Sequence, residues 1–174
     1  WTPLILDTNG NGRQDAWVDP DQPLDPAKDK RVDVGVYSVI HNPVDNAIWG
    51  SVAAYPGAIV RVTLGANPPT TAVTEIFELP LDASKVPVRG YTSRGLDVDR
   101  NGVIWTNLAG SSHLASFDRR RCKGPLNGPT ATGQHCPEGW TFHSLPGPKF
   151  KGVTDEGGVA EGTYLMWVDQ FDAS

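Results

Sequence analysis

The residues with the clearest chemical potential lie near the start of the chain, in residues 7–15. Oxygen-bearing side chains occupy positions 1, 3, 5 and 9 of this stretch, and a glycine occupies position 6. A tightly turned loop can point such side chains inward, and Ca²⁺ binds six to eight hard oxygen ligands. The spacing therefore predicts a calcium site whose ligands are the side chains of Asp7, Asn9, Asn11 and Asp15 and the backbone carbonyl of Arg13.

This stretch also resembles the calcium loops of thrombospondin type 3 repeats and the first half of an EF-hand loop. Its two formal negative charges predict modest affinity, which is typical of a structural, extracellular-type site. The alternative is a turn rich in Gly and Asn whose side chains bond their own backbone. Residues 97–102 share part of the pattern but have no later carboxylate, and we expect a hairpin turn there.

The two cysteines, Cys122 and Cys136, are 14 positions apart and flank a loop rich in Gly and Pro. A disulfide that closes a loop of this length stabilises the fold by roughly 3 kcal/mol in the simple chain-entropy model. Because disulfides persist in oxidising compartments, the pair predicts a periplasmic or secreted protein. The alternatives are two free cytosolic thiols, or metal ligation together with His135, although adjacent His and Cys lack the spaced pairs of a zinc site.

A second, weaker candidate site combines His41, Arg94 and Asp97. His41 lies at the end of a predicted inner strand, and the other two residues lie on the equivalent strand of the next predicted unit. Together they could bind an anionic or polar ligand, with His41 as a base. Cross-strand ion pairing and turn capping are the alternative roles. The sequence contains no nucleophile elbow, phosphate loop or dinucleotide fingerprint.

Composition restricts the class of protein. Of 174 residues, 19 are Gly and 15 are Pro, while 39% are hydrophobic and 20% are charged. These values are typical of a folded, turn-rich, mostly β protein and not of a disordered chain. No apolar run is long enough for a transmembrane helix. The net charge of −5, without a basic stripe, argues against nucleic acid as a partner.

The elements that must position these residues are short alternating β segments, repeated with a tryptophan in each unit. Trp49 and Trp105 are 56 positions apart, and Trp105 and Trp167 are 62 positions apart. Units of four short antiparallel strands at about this period are typical of β-propeller blades. We therefore expect an all-β fold with about three blades' worth of a partial propeller. The alternative is a β-sandwich in which the spacing of the tryptophans is coincidental.

The repeat divides the chain into four predicted segments. Residues 1–34 hold the outer strand of a preceding blade, the candidate calcium loop and a connection. Residues 35–90 form one blade, 91–149 form a second blade with the Cys-bearing insertion, and 150–174 begin a further blade. Because three blades cannot close a ring, we expect either an internal segment of a longer protein or closure by association with other copies.

The repeat resembles the blade of streptogramin lyase (virginiamycin B lyase)-like propellers, over roughly residues 35–172. The matching stretches are 46–49, 59–62, 75–80, 103–107, 113–118 and 140–146. The resemblance implies a propeller fold. Members of that family cleave a cyclic depsipeptide by elimination, with a His, a Glu and a divalent metal near the central axis, and no residue of this chain can be matched to those positions.

Two functions from different classes are therefore expected. The first is an extracytoplasmic propeller segment with a structural or binding role, stabilised by a disulfide and by calcium. Its partners would be an unknown small molecule or protein, together with the remaining blades or other copies of the chain. The alternative is a streptogramin-lyase-like enzyme that acts by metal-assisted elimination at the mouth of the propeller. A third possibility is an assembly protein whose open blade ends pair between chains.

Overall fold

The regular secondary structure is mostly β-strand, and the all-β class that the sequence predicts is confirmed. The structure, a computed structural model, describes residues 3–85, 90–152, 159 and 162–169. Within these residues, eleven strands form a seven-stranded sheet and a four-stranded sheet. In the same part of the chain, no helix has the length and the apolar character that crossing a membrane requires.

The first sheet is built around an antiparallel meander of four strands, each paired with the next along the chain. The seven strands of this sheet are β1 (Leu4–Leu6), β2 (Trp17–Val18), β3 (Asp29–Val32), β4 (Val36–Asn42), β5 (Ala47–Val52), β6 (Ala58–Thr63) and β7 (Val73–Glu78). Their spatial order is β2-β3-β1-β7-β6-β5-β4. A single-turn helix, α1 (Pro68–Thr71), lies in the connection between β6 and β7.

The second sheet is a four-stranded antiparallel meander of the same kind. Its strands are β8 (Ser93–Val98), β9 (Ile104–Leu108), β10 (His113–Phe117) and β11 (Trp140–Ser144). The expected hairpin turn at 97–102 joins β8 to β9. There the N–H of Gly102 donates to the Asp99 carbonyl, and Gly102 takes a φ of 79° that L side chains rarely adopt. Two 3₁₀ turns, Arg119–Arg121 and Pro137–Gly139, flank the loop between β10 and β11.

The two meanders pack face to face through an aromatic core. Trp49 and Phe77 of the first sheet meet Phe117 of the second, and the Phe77 and Phe117 ring centroids are 4.6 Å apart. Trp140 completes the cluster against Phe117. All four side chains are buried. Strand β8 packs against β4 and β5, so the first strands of the two meanders lie side by side.

Alternation along the strands divides the apolar residues of the first sheet between two cores. In β6, Ile59 belongs to the core between the sheets, whereas Val60 belongs to a second cluster on the opposite face. Leu6 of β1 contributes to that second cluster. The first residues are predicted from the sequence to be the outer strand of a preceding blade. In the structure they form β1, which lies beside β7 and pairs with it in parallel at Leu6 and Thr74.

Candidate functional site

The carboxylate of Asp7 organises the predicted calcium loop. It accepts hydrogen bonds from the N–H groups of Gly10, Asn11 and Gly12 at 2.6, 3.1 and 2.7 Å, and from the side-chain amide of Asn127 at 2.8 Å. The two glycines take φ values of 79° and 82°, which a β-carbon would disfavour. Because a carboxylate has about four lone-pair positions, these four donors engage Asp7 fully.

The remaining predicted ligands face one another across the loop. The side-chain oxygens of Asn9 and Asn11 accept from the N–H groups of Asn11 and Arg13, each at 3.1 Å. Both side-chain amides donate to Asp15 Oδ2. These bonds, first that from Asn11 and then that from Asn9, lower the pKa of Asp15, and the nearby Arg13 charge acts in the same direction. The structure therefore brings the five predicted residues together in one loop.

A further carboxylate, that of Asp29 on β3, lies against the end of this loop. Asp29 is fully buried, and its Oδ2 accepts the Asp15 N–H at 2.6 Å. Its Oδ1 is buried without a hydrogen bond of ordinary geometry. Burial raises the pKa of Asp29, backbone N–H groups of Asp15 and Asn9 that face the carboxylate lower it, and the charges of Asp7 and Asp15 raise it. Asp29 is not predicted as a site residue from the sequence, because the stretch that it ends, rich in Asp and Pro, is typical of a solvated connection.

The loop opens onto a surface pocket of about 510 Å³. Four of the predicted calcium-site residues line it, together with residues of the connection to β3; the lining includes Asn9, Asn11, Arg13, Asp15, Pro26 and Ala27. Among the described residues, no group of three or more His, Cys, Asp or Glu side chains is arranged to hold a metal ion. A calcium ion here would therefore depend on amide and carbonyl oxygens as well as carboxylates, and the site stays a prediction.

The predicted disulfide between Cys122 and Cys136 is confirmed, with the two Cα atoms 5.1 Å apart. The bond excludes these cysteines as free thiols and as thiolate ligands of a metal. Cys136 is buried in the core between the sheets. His135, beside it, packs on the ring of Phe77 at a centroid distance of 5.3 Å, and burial lowers the pKa of this histidine.

The loop that the disulfide closes also joins the two sheets. The carbonyl of Gly133 accepts from the Glu78 N–H at the end of β7, at 2.9 Å. The N–H of Gly128 donates to the Asp7 carbonyl at 2.7 Å. The same loop thus contacts the first meander and the candidate calcium loop, although 120 positions separate Asn127 from Asp7.

Removal of the disulfide, by the double substitution Cys122→Ser and Cys136→Ser, is expected to lower the free energy of unfolding by roughly 3 kcal/mol. The reason is that the open loop gains conformational freedom in the unfolded chain. Urea denaturation of the oxidised protein and of the double variant measures the difference. The matched control is the variant in reducing buffer, where its stability should not change further. Equal stability of the oxidised protein and the variant would contradict the expectation.

The structure does not join His41, Arg94 and Asp97 by contacts with one another. The exposed His41 ring interacts with the side-chain oxygen of Asn46 at 3.1 Å. The Arg94 guanidinium lies over the Tyr164 ring, 4.6 Å from its centroid, and 5.4 Å from that of Tyr37. Within the described residues, no hydrogen bond or ion pair links the three side chains. Ligand binding at this site, and a lyase-like reaction there, stay predictions.

Asp97 instead holds a segment that follows the second sheet. Its Oδ2 accepts the Val168 N–H at 2.7 Å. The Tyr164 carbonyl accepts the Gly95 N–H at 3.2 Å, and the Thr163 carbonyl accepts from the Asn107 amide. Residues 162–169 therefore lie along β8, with Leu165 and Trp167 80% and 86% exposed.

The two sheets repeat one aromatic pattern on corresponding faces. Trp49 on β5 and Trp105 on β9 each donate an indole N–H to an aspartate of the preceding turn, at 3.2 Å in both cases. Trp49 stacks on Phe77 at 6.1 Å with an interplanar angle of 20°, and Trp105 stacks on His143 at 5.5 Å and 21°.

Comparison with protein-family models, with curated proteins and with solved structures finds no match for this chain.

Proposed function

We propose that the chain is an extracytoplasmic β-propeller segment with a structural or a ligand- or protein-binding role. The disulfide and a calcium ion in the loop of residues 7–15 would stabilise it. The disulfide supports an oxidising compartment, because cytosolic thiols are kept reduced. The propeller part of the proposal rests on one observation. The outer face of the second sheet carries a stacked aromatic pair at the same place as the face of the first sheet against which the second sheet packs.

The two sheets share this stacked pair but differ in whether the pair is buried. On the first sheet, the stacked pair Trp49 and Phe77 is buried beneath the second sheet. On the second sheet, the equivalent pair is Trp105 and His143, and here the histidine is exposed. A stacked pair at the same place in two successive meanders supports a third sheet that would cover the second pair as the second sheet covers the first.

The segment of residues 162–169 supports the proposal, because it contacts the second sheet as the first strand of a third sheet would. The hydroxyl of Ser51 on β5 donates to the carbonyl of Arg94 on β8. At the equivalent position on β9, Asn107 donates to the Thr163 carbonyl. The segment thus contacts the second sheet as β8 contacts the first. This supports the prediction that residues 150–174 begin a further blade, of which 153–158, 160, 161 and 170–174 lie outside the described residues.

The exposed side chains of Leu165 and Trp167 follow from this arrangement. In a propeller they would be covered by the rest of the third blade or by another copy of the chain. Such cover would also remove apolar side chains from water, at about 25 cal/mol for each Å² buried. The proposed partners are accordingly further blades of the same protein or other copies, with a small molecule or protein bound at the mouth.

An experimental structure of the natural, full-length protein tests this proposal. The rotation that relates the first sheet to the second should, when applied again, generate a third sheet on the face that carries Trp105 and His143. Light scattering coupled to size exclusion then shows whether the ring closes within one chain or by association. A monomer in which that face lies in water, with two sheets around a single core, would overturn the proposal.

A further inference from the structure

We infer that Asp29 is a ligand of the calcium ion, its buried Oδ1 adding a charged oxygen to those of the loop of residues 7–15. This inference rests on the calcium part of the proposed function and extends it to a strand outside the predicted loop. The geometry that points to it is a fully buried carboxylate whose Oδ2 accepts the N–H of the last loop residue, Asp15, and whose Oδ1 has no hydrogen bond of ordinary geometry.

A carboxylate in this position is costly unless a cation compensates it. Asp29 is 0% exposed, and the described part of the chain gives it no ion pair with Lys or Arg. Leaving a buried charge unpaired destabilises a fold by several kcal/mol. A cation bound at Oδ1 would remove that cost, because it would pair with the charge and give that oxygen a partner of good geometry.

The different hydrogen bonds of the three acidic residues support the same conclusion. Asp7 is engaged by four donors and therefore shapes the loop, so an ion there would have to displace one of them. Asp15 has one oxygen that accepts two amides, and its other oxygen is 3.5 Å from the exposed Arg13. Among these three residues, Asp29 has the carboxylate oxygen, Oδ1, that is buried and has no hydrogen bond of ordinary geometry.

Calcium is the cation that these donors fit. They comprise carboxylate oxygens, amide oxygens and a backbone carbonyl, on elements as separate as β3 and the loop. Ca²⁺ accepts such a set in irregular geometry at 2.3–2.6 Å, whereas Mg²⁺ demands a near-ideal octahedron and retains several waters. With Asp29 as a ligand, the ion would connect β3 to the loop, and through the bond between Asp7 and Asn127 it would also support the docking of the disulfide loop.

The competing explanation is that Asp29 is simply protonated and binds no ion. The substitution Asp29→Asn distinguishes the two, because it keeps the shape of the side chain and removes its charge. If Asp29 is neutral, the variant should resemble the unsubstituted protein with and without Ca²⁺. If it is a ligand, the variant should fold at least as well in metal-free buffer but should bind the ion more weakly.

Isothermal titration with CaCl₂ on the intact, oxidised chain tests the inference. We expect Asp29→Asn to weaken Ca²⁺ binding by about tenfold or more, since affinity in such sites follows the number of charged ligands. Asp15→Asn, in the loop itself, should also weaken it. The matched control is Asp33→Asn, which removes the same charge from an exposed position just after β3 and should leave the affinity unchanged. MgCl₂ in place of CaCl₂ should give weaker binding.

The outcomes separate the inference from the proposed function. If the unsubstituted chain binds Ca²⁺ and Asp15→Asn weakens binding while Asp29→Asn does not, the loop site stands and the role of Asp29 is overturned. If the unsubstituted chain binds no Ca²⁺ at millimolar concentration, both calcium statements are overturned, whereas the propeller proposal is unaffected.

A second measurement avoids substitution altogether, in case Asp29→Asn fails to fold. In ¹³C-labelled protein, the side-chain carboxyl resonances of Asp15 and Asp29 are followed while Ca²⁺ is added. Both should shift together if both bind the ion. A shift of the Asp15 resonance with a stationary Asp29 resonance would contradict the inference.

Discussion

Replacement of Phe77 by alanine is expected to lower the free energy of unfolding by about 3 to 5 kcal/mol. The Phe77 ring is fully buried at the centre of the contact between the two sheets. It lies 4.6 Å from the ring of Phe117, 6.1 Å from that of Trp49 and 5.3 Å from that of His135. Truncation would lose the favourable free energy of burying the ring. It would also leave a cavity, because the neighbouring side chains belong to two different sheets and cannot close the space. Urea denaturation followed by tryptophan fluorescence measures the change.

The matched control for this substitution is Phe150→Ala, because Phe150 is 59% exposed and belongs to neither core cluster. Its loss should change the free energy of unfolding by no more than about 0.5 kcal/mol. Phe77→Leu should fall between the two, since it keeps part of the buried volume. A loss of less than about 1 kcal/mol for Phe77→Ala would show that the sheets do not depend on this contact for their packing.

The sequence predicts the strands of this fold well because their signals are local. Period-two alternation places Ile59 and Val60 on opposite faces of β6, and the structure assigns them to different cores. The Asn-Gly pair at 101–102 predicts a hairpin, and Gly102 there takes the positive φ that such a turn requires. The disulfide is also predictable, since two cysteines flank a loop rich in turn-forming residues.

Contacts between distant parts of the chain could not be predicted in the same way. The bond from Asn127 to Asp7 spans 120 positions, and nothing in the local sequence of either residue indicates the other. Asp29 is missed for a related reason, because its burial is created by the packing of β3 against β1 and the loop. In the candidate site, therefore, spacing predicts the residues within one turn, whereas the buried carboxylate beneath it becomes visible only in the fold.

The same limit applies to the ionic contacts that hold the 3₁₀ turn after β10 against the first sheet. Arg119, in the 3₁₀ turn after β10, donates to both oxygens of Glu75 on β7, at 2.6 and 2.7 Å. Glu75 also lies 3.5 Å from Arg61 on β6, and Arg61 pairs in turn with Asp45 at 2.7 Å. Glu75 thus pairs with one arginine of its own sheet and with one in the turn that follows β10, and its side chain is only 12% exposed.

The substitution Glu75→Gln is expected to lower the free energy of unfolding by about 2 to 3 kcal/mol, because Arg119 loses the carboxylate that pairs with it while Arg61 keeps its pair with Asp45. Thermal and urea denaturation measure the loss. The control is Asp19→Asn, which breaks the exposed pair between Asp19 and Arg31 and should cost less than about 1 kcal/mol. If Glu75→Gln proves as mild as this control, the contact between the 3₁₀ turn after β10 and β7 contributes little. If it is severe, and Arg119→Gln adds little further loss in the Glu75→Gln background, then the pair acts as one unit that joins the two sheets.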